Sequence, residues 1–220
     1  MSLPLWAARA VLIVLGLAGW FYTQALIARR DFPEGRIGDR LLALTEPLNR
    51  RLREHPRQAN ALLIATSAVI DLLGLFLVGL AIFGPSVRPF LGLAILFALR
   101  QICQGLCSLP APEGMIWRNP GFPSLLVTYG TTSDLFFSGH TAIAVYGALE
   151  LAHFGGAAFA IIGALIVLVE AATVLVLRAH YTMDVFAGAM TALWVWCASS
   201  VLAPGIDAWL ARVFSVAGSS

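Results

Sequence analysis

The chain contains no lysine, and charged residues of either sign are scarce. Only 12% of its 220 residues are charged, and all 14 basic residues are arginine. A soluble domain carries roughly 25% charged residues, whereas this chain is 59% hydrophobic, with a mean hydropathy of +0.84. This composition excludes an ordinary water-soluble domain. We expect a multi-pass integral membrane protein of a bacterial inner membrane, and we attribute the arginine-only basic set to genomic base composition.

Cysteine and histidine are also scarce, which removes two kinds of site. Three cysteines cannot form a disulfide framework, and we interpret Cys103, Cys107 and Cys197 as small apolar fillers. The four histidines lack the HExxH or Cys/His spacing of a zinc site. We therefore expect neither a metal ion nor another cofactor.

Long apolar runs dominate the rest of the chain. A stretch of about 20 apolar residues spans the hydrocarbon core of a bilayer. Six stretches qualify: Leu5–Ala28, Ala59–Phe83, Phe90–Leu109, Leu135–Ala152, Ala157–Leu177 and Tyr181–Leu202. The sequence predicts an all-α fold, a six-transmembrane-helix bundle in a single domain (residues 1–220) with the active site at one membrane face.

Two long loops separate these stretches. Residues 29–58 hold eight arginines and five acids with helical periodicity, which predicts an amphipathic loop on the lipid headgroups or, alternatively, a segment that contacts substrate. Residues 110–134 are rich in proline, glycine and aromatics, and we expect an irregular loop packed over the helix ends. With six crossings, both loops and the turn at 178–180 lie on one face.

His180 and Asp184 are the first candidate pair for chemistry. Their i, i+4 spacing would place both side chains on one helix face. A carboxylate can hold one imidazole nitrogen through its N–H and leave the other nitrogen free to attack. The same spacing also fits a buried hydrogen-bonded pair without any role in catalysis.

A second histidine follows a helix-start pattern in Ser138-Gly139-His140-Thr141. Ser138 is a plausible N-cap, and Gly139 would let a ligand approach the unpaired amides of the helix start, which suit phosphate. Two imidazoles could divide phosphoryl transfer between nucleophilic attack and proton transfer. Arg100, late in an apolar helix, could balance the phosphate charge or extend to the headgroups.

The segments "SDLFFSGHT" and "HYTMDV" resemble the third and fourth motifs of sphingomyelin synthases, within the wider type 2 phosphatidate phosphatase superfamily. "LRQICQGLCSLPAP" resembles the second motif of that family, and the resemblance covers about residues 88–190. It implies six crossings, no metal and a phosphohistidine intermediate.

This resemblance also implies roles for individual residues. His180 would be the nucleophile, Asp184 its orienting acid and His140 the acid/base. Further residues would bind substrate or phosphate: Arg100, Asp134, Ser138, Gly139 and Tyr181.

The chain departs from these families at several positions. It lacks the Lys-x6-Arg-Pro motif of the soluble-headgroup phosphatases and has Val174 where they place an arginine, which favours the synthase branch. Thr132-Ser133 replaces the Cys-Gly of the third synthase motif, and Pro-Leu-Pro-Asp is only echoed by "RDFPEG". These differences leave the headgroup and the acceptor open.

The resulting hypothesis is a sphingomyelin synthase-like lipid phosphotransferase. It would move a headgroup from a phospholipid donor to a lipid alcohol such as ceramide or diacylglycerol. The alternatives are a lipid phosphatase with water as acceptor and a transporter that retains the motifs. We expect no nucleic-acid partner, and the sequence leaves homo-oligomerisation open.

The side of the membrane on which the site lies is a separate question. The family resemblance places it on the outer face, which we favour, whereas counting arginines in short loops places it inside. We also expect the three remaining intramembrane acids, Asp71, Glu150 and Glu170, to face the bundle interior, protonated or paired.

Overall fold

The structure is a computed structural model that describes residues 4–29, 37–129 and 135–216. Within these ranges every regular element is a helix, and no strand is present. The seven helices in chain order are α1 (Leu5–Ile27), α2 (Arg40–Leu44), α3 (Glu46–Glu54), α4 (Pro56–Phe83), α5 (Arg88–Leu106), α6 (Gly139–Val176) and α7 (Thr182–Val216). The predicted all-α membrane architecture is confirmed at this level.

Five of these helices, rather than six, are long and apolar enough to cross a membrane: α1, α4, α5, α6 and α7. The difference from the predicted six lies in α6. The fourth and fifth apolar stretches, expected as separate helices, are joined there into one element of 38 residues. Only a short break in the helical conformation separates the two stretches, so they appear as one element.

A single non-helical glycine reverses the chain inside α6. Gly156 has φ 68° and ψ −149°, a conformation that only glycine adopts without strain. A Cβ on Gly163 would lie 2.8 Å from Cα of Ala148, although 15 residues of straight helix would separate these positions by about 22 Å. Residues 139–155 and 157–176 therefore form two antiparallel arms, which start and end at the same face of the bundle.

All three intramembrane acids accept hydrogen bonds, and Glu150 and Glu170 are buried as the sequence predicted, whereas Asp71 is only half-buried. Glu150 accepts a 2.6 Å hydrogen bond from Arg88, at the end of the bundle opposite the start of α6. Asp71 accepts from the backbone amides of Leu125 and Leu126 at 2.8 Å each, and so ties the long loop to α4.

The third acid, Glu170, joins two helices. It accepts a hydrogen bond from the hydroxyl of Thr66 and thereby links the second arm of α6 to α4.

Replacing Arg88 by methionine should destabilise the bundle, because the Glu150 carboxylate is 1% exposed and would lose its cation. Breaking one side of a buried ion pair costs about 3–5 kcal/mol. Thermal unfolding in detergent should therefore show a large loss for Arg88→Met and partial recovery in Arg88→Met/Glu150→Leu. The exposed Arg212→Met serves as control; equal losses in the single and double variants would contradict the pairing.

Helices α2 and α3 are attached to the bundle through buried polar contacts. The amide of Asn49, which is fully buried, donates to the carbonyls of Gly114 (3.0 Å) and Val176 (2.9 Å). The buried guanidinium of Arg178 donates to the Leu42 carbonyl at 2.9 Å and pairs with Glu46. The segment predicted to be an amphipathic loop thus covers the helix ends and is fixed to them.

Candidate functional site

A cavity at the end of the bundle where α6 begins collects several of the predicted site residues. Arg100 from α5, Gly139 and His140 from α6, and His180 from the α6–α7 turn all line it. The cavity is partly open to the surroundings, and both polar and apolar side chains line it. The fold-back of α6 brings His140 and His180 to the same end, although a whole helical hairpin separates them in sequence.

His180 lies just before α7 and beside Asp184. Its Nδ1 is 3.7 Å from Oδ2 of Asp184, and both side chains are buried. The same Oδ2 accepts a 2.9 Å hydrogen bond from the amide of Tyr181, so that Asp184 caps the start of α7. The predicted sharing of one helix face is wrong, because the helix begins only at Thr182. The carboxylate reaches His180 by folding back over the first turn.

His140 occupies the first turn of α6. Ser138 is the N-cap, as expected, and its side chain accepts from the amide of Thr141 at 3.3 Å. The imidazole is 6% exposed, its Nε2 has no hydrogen-bond partner, and its ring meets Trp117 edge-on with centroids 5.2 Å apart. A buried imidazole nitrogen that is unpaired beside a cavity is available to a ligand.

Arg100 reaches across from α5 to the start of α6. Its Nε donates to the carbonyl of Phe137 at 3.0 Å. A Cβ on Gly139 would lie 3.0 Å from that nitrogen and 3.4 Å from the guanidinium carbon. Gly139 therefore admits the arginine side chain, whereas the sequence suggested that it would admit a ligand. The cation is held next to the amides that open α6.

The remaining predicted residues have other positions. Tyr181 does not line the cavity: its hydroxyl donates to the carbonyl of Pro110 at 3.0 Å and fixes the loop that covers the site. Burial raises the pKa of its hydroxyl, and the charges of Asp184 and Asp39 add to this effect. Asp134 lies outside the described residues.

Two residues that support the site were missed by the sequence analysis. Asp39 caps α2 and also accepts from the amide and hydroxyl of Thr182, at 2.6 and 2.7 Å, at the start of α7. Gly188 allows α7 to approach the backbone before α6, because a Cβ there would lie 2.6 Å from the carbonyl oxygen of Ser138. Both contacts join segments that are distant in sequence, and no local sequence pattern predicts them.

Asp39 should give the protein a stability that is lost in acid. Burial alone would raise the pKa of its carboxyl, but hydrogen bonds from Thr182, Leu42 and Leu41 outweigh burial and lower it. A group with a lowered folded-state pKa stabilises the fold above its unfolded pKa, about 3.9. This contribution disappears as the pH falls through the folded-state value.

The variant Asp39→Asn should lower stability at pH 7 by about 1 kcal/mol, because its amide nitrogen cannot accept the Thr182 N–H. Thermal unfolding followed against pH should show a smaller further loss below pH about 4 than in the unchanged protein. Glu54→Gln, an exposed acid in the same segment, should keep the original profile. An identical acid profile for Asp39→Asn would refute the contribution.

Comparison with known proteins adds a family to this geometry. The chain matches the model of the AtPDCT1/2 family, phosphatidylcholine:diacylglycerol cholinephosphotransferases, over residues 39–200, nearly three quarters of its length. The chain belongs to the AtPDCT1/2 family. No curated protein and no solved structure matches it. The match begins at Asp39 and includes the cavity residues of α5, α6 and the α6–α7 turn.

Membership of the AtPDCT1/2 family corrects the resemblance stated from the motifs. The assignment to the sphingomyelin synthases and the type 2 phosphatidate phosphatase superfamily was wrong, since the matching model is that of a different family. The short histidine motifs contain side chains that could bind and transfer a phosphate group, but they do not indicate which lipid carries that phosphate. The coarser prediction, a membrane enzyme that modifies lipids, agrees with an AtPDCT1/2 member.

Proposed function

We propose that this protein transfers phosphocholine from phosphatidylcholine to diacylglycerol. The observation that supports this most is the convergence of His140, His180 and Arg100 on one cavity, in a chain of the AtPDCT1/2 family. The site has two imidazoles to divide attack and proton transfer and one fixed cation for the phosphate. The site lies at the end of the helix bundle that we place among the lipid headgroups.

In the proposed first step, Nε2 of His180 attacks the phosphorus of phosphatidylcholine. A P–N bond forms, the P–O bond to glycerol breaks, and the departing glycerol oxygen takes a proton from His140. Asp184 favours this by receiving the N–H of the ring at Nδ1, and a small rotation would shorten the present 3.7 Å. Such contacts commonly tighten only when substrate is bound.

The second step is the reverse of the first, with a different diacylglycerol molecule as the alcohol. The hydroxyl of diacylglycerol gives its proton to His140, its oxygen attacks phosphorus, and the P–N bond to His180 breaks. Because the leaving and attacking groups are the same alcohol, one pair of histidines serves both steps by microscopic reversibility. This scheme requires a covalent phosphohistidine and ping-pong kinetics.

The groups around the histidines suit a zwitterionic headgroup. Arg100 and the amides that open α6 would bind the phosphate oxygens, and Ser138, Gly139 and Tyr181 would fix these elements. The aromatic wall of Trp20, Phe97 and Trp117 lines the same cavity. Aromatic faces attract quaternary ammonium groups, which gives choline a place opposite the arginine.

We further propose that each arm of α6 crosses the membrane. The arms are about 26 and 30 Å long, close to the thickness of the hydrocarbon core, and six crossings would follow. All the loops that surround the cavity would then lie on one side, which we propose to be the outer face of a bacterial inner membrane.

The transfer is tested directly by following the headgroup between lipids of different acyl composition. The purified protein is incubated in liposomes with phosphatidylcholine that carries a deuterated choline, and with diacylglycerol whose acyl chains differ from those of the donor. Mass spectrometry should detect deuterated phosphatidylcholine with the chains of the acceptor. Release of free phosphocholine without this product would mean that water is the acceptor, and the proposal would be wrong.

A further inference from the structure

A second, larger cavity lies between α1 and α5 on the outer surface of the bundle. It has about 700 Å³ of empty volume, and small residues on both helices form its floor. Ten residues line it: Gly16, Leu17, Gly19, Trp20, Thr23, Phe90, Ala94, Phe97, Ala98 and Gln101. We call this the α1–α5 groove. Gly19 and Ala98 are exposed in it, so the groove is open to the surrounding lipid.

The groove adjoins the candidate site. Trp20 and Phe97 line both the groove and the histidine cavity. Their rings are stacked, with centroids 4.6 Å apart and planes inclined by 10°. Trp20 and Phe97 therefore form a wall shared by the groove and the cavity that His140 and His180 line. A lipid whose polar end enters the histidine cavity could keep its chain in the groove.

Two residues that line the groove, Trp20 and Gln101, each have a buried polar atom without a hydrogen-bond partner. The indole N–H of Trp20, on a side chain that is 8% exposed, is buried and unpaired. So is Oε1 of Gln101, whose Nε2 donates to Gln24 at 2.9 Å. Buried polar groups without a partner are costly in an apolar environment. A free donor and a free acceptor together match a hydroxyl or a hydroxyl–ester pair, such as the glycerol end of a lipid.

The charge of the lining narrows the choice of lipid. None of the ten lining residues is ionisable, so the groove has no cation for a phosphate group. We propose that the α1–α5 groove binds the acceptor, diacylglycerol, with an acyl chain along the small-residue floor and the glycerol end at Trp20 and Gln101. This inference rests on the proposed function for the identity of the acceptor.

Glycine at position 19 allows a selective obstruction of the groove. A Cβ there meets nothing within 4 Å, so Gly19→Leu should fold and place its side chain in the acyl path. Gly79 in α4 is equally unobstructed and does not line the groove, which makes Gly79→Leu a matched control. For a long-chain acceptor, Gly19→Leu should raise KM about tenfold. The effect should shrink for a diacylglycerol with short acyl chains, and KM for a long-chain phosphatidylcholine should rise in parallel, because the diacylglycerol part of the donor leaves from the position that the acceptor occupies.

The polar end of the groove is tested separately. Trp20→Phe keeps an aromatic ring beside Phe97 and removes the N–H together with the five-membered ring of the indole. Loss of one hydrogen bond should raise KM for diacylglycerol about fivefold, and equally for long and short chains, because the N–H would contact the glycerol end.

Direct binding distinguishes a failure of this inference from a failure of the proposed function. A diacylglycerol with a photoreactive group in its acyl chain is irradiated with the protein in liposomes, and the labelled peptides are identified. Labelling of α1 and α5, reduced in Gly19→Leu but not in Gly79→Leu, supports the groove even if no phosphocholine is transferred. Labelling confined to other helices, or equal KM values for the two leucine variants, would overturn it while leaving the transfer reaction untouched.

Discussion

Replacing His180 by alanine is expected to reduce phosphocholine transfer by at least about a thousandfold. The imidazole is the proposed nucleophile, and the small side chain of alanine supplies no nitrogen for the covalent step. The deuterated-choline exchange measures this loss directly. A control is His55→Ala, which removes an exposed histidine from the same end of the bundle. We expect the control to keep full activity.

The intermediate itself gives a second measurement on the same variant. Donor labelled in its choline should leave label on the unchanged protein when no acceptor is present, and none on His180→Ala. A P–N bond is cleaved by acid and resists base, which distinguishes it from an ester of serine. If His180→Ala retained a tenth of the activity, or if the label remained, the nucleophile would have to be another residue.

Hydropathy alone came close to the architecture because each crossing has a length fixed by the bilayer. The fourth and fifth stretches were placed at residues 135–152 and 157–177, and the structure continues helix up to the turn on both sides. What hydropathy could not anticipate is that Gly156 reverses the chain almost alone. A turn this tight depends on one glycine and on close packing of Gly163 against Ala148.

The site was found in part because its chemical groups lie in short local motifs. His140 and His180 line the same cavity, and the sequence analysis had placed the segments around them at one face. The i, i+4 spacing correctly predicted that Asp184 lies near His180, but for the wrong reason. His180 precedes α7, so the two residues do not share a helix face. Asp39 was missed because its partner Thr182 lies 143 residues away, and only the folded chain brings the two together.

The lipid specificity could not be predicted from the motifs at all. A phosphate site needs particular polar groups, and these leave a recognisable pattern in sequence. An acyl site needs only apolar area and space, which Gly19 and Ala98 supply without any distinctive motif. The sequence could therefore indicate phosphoryl chemistry and still lead to the wrong family of lipid-modifying enzymes.

Replacing His140 by alanine is expected to lower transfer by about 10²–10⁴-fold, the usual contribution of a general acid–base group. The proposed reason is that the departing diacylglycerol oxygen no longer receives a proton. This loss should depend on the leaving group. With p-nitrophenyl phosphocholine as donor, the leaving phenolate needs no proton. His140→Ala should then form the phosphoenzyme at nearly the normal rate, whereas His180→Ala should remain inactive.

The comparison of the two donors also separates proton transfer from a packing role. The His140 ring touches Trp117 edge-on, so its loss could simply loosen the loop that covers the cavity. A packing defect would slow both donors alike, and Trp117→Phe, which changes that contact while keeping the imidazole, should affect both donors equally. A selective recovery of His140→Ala with the activated donor therefore identifies an acid. Equal losses with the two donors would instead leave His140 as a structural residue and would require another proton donor in the mechanism.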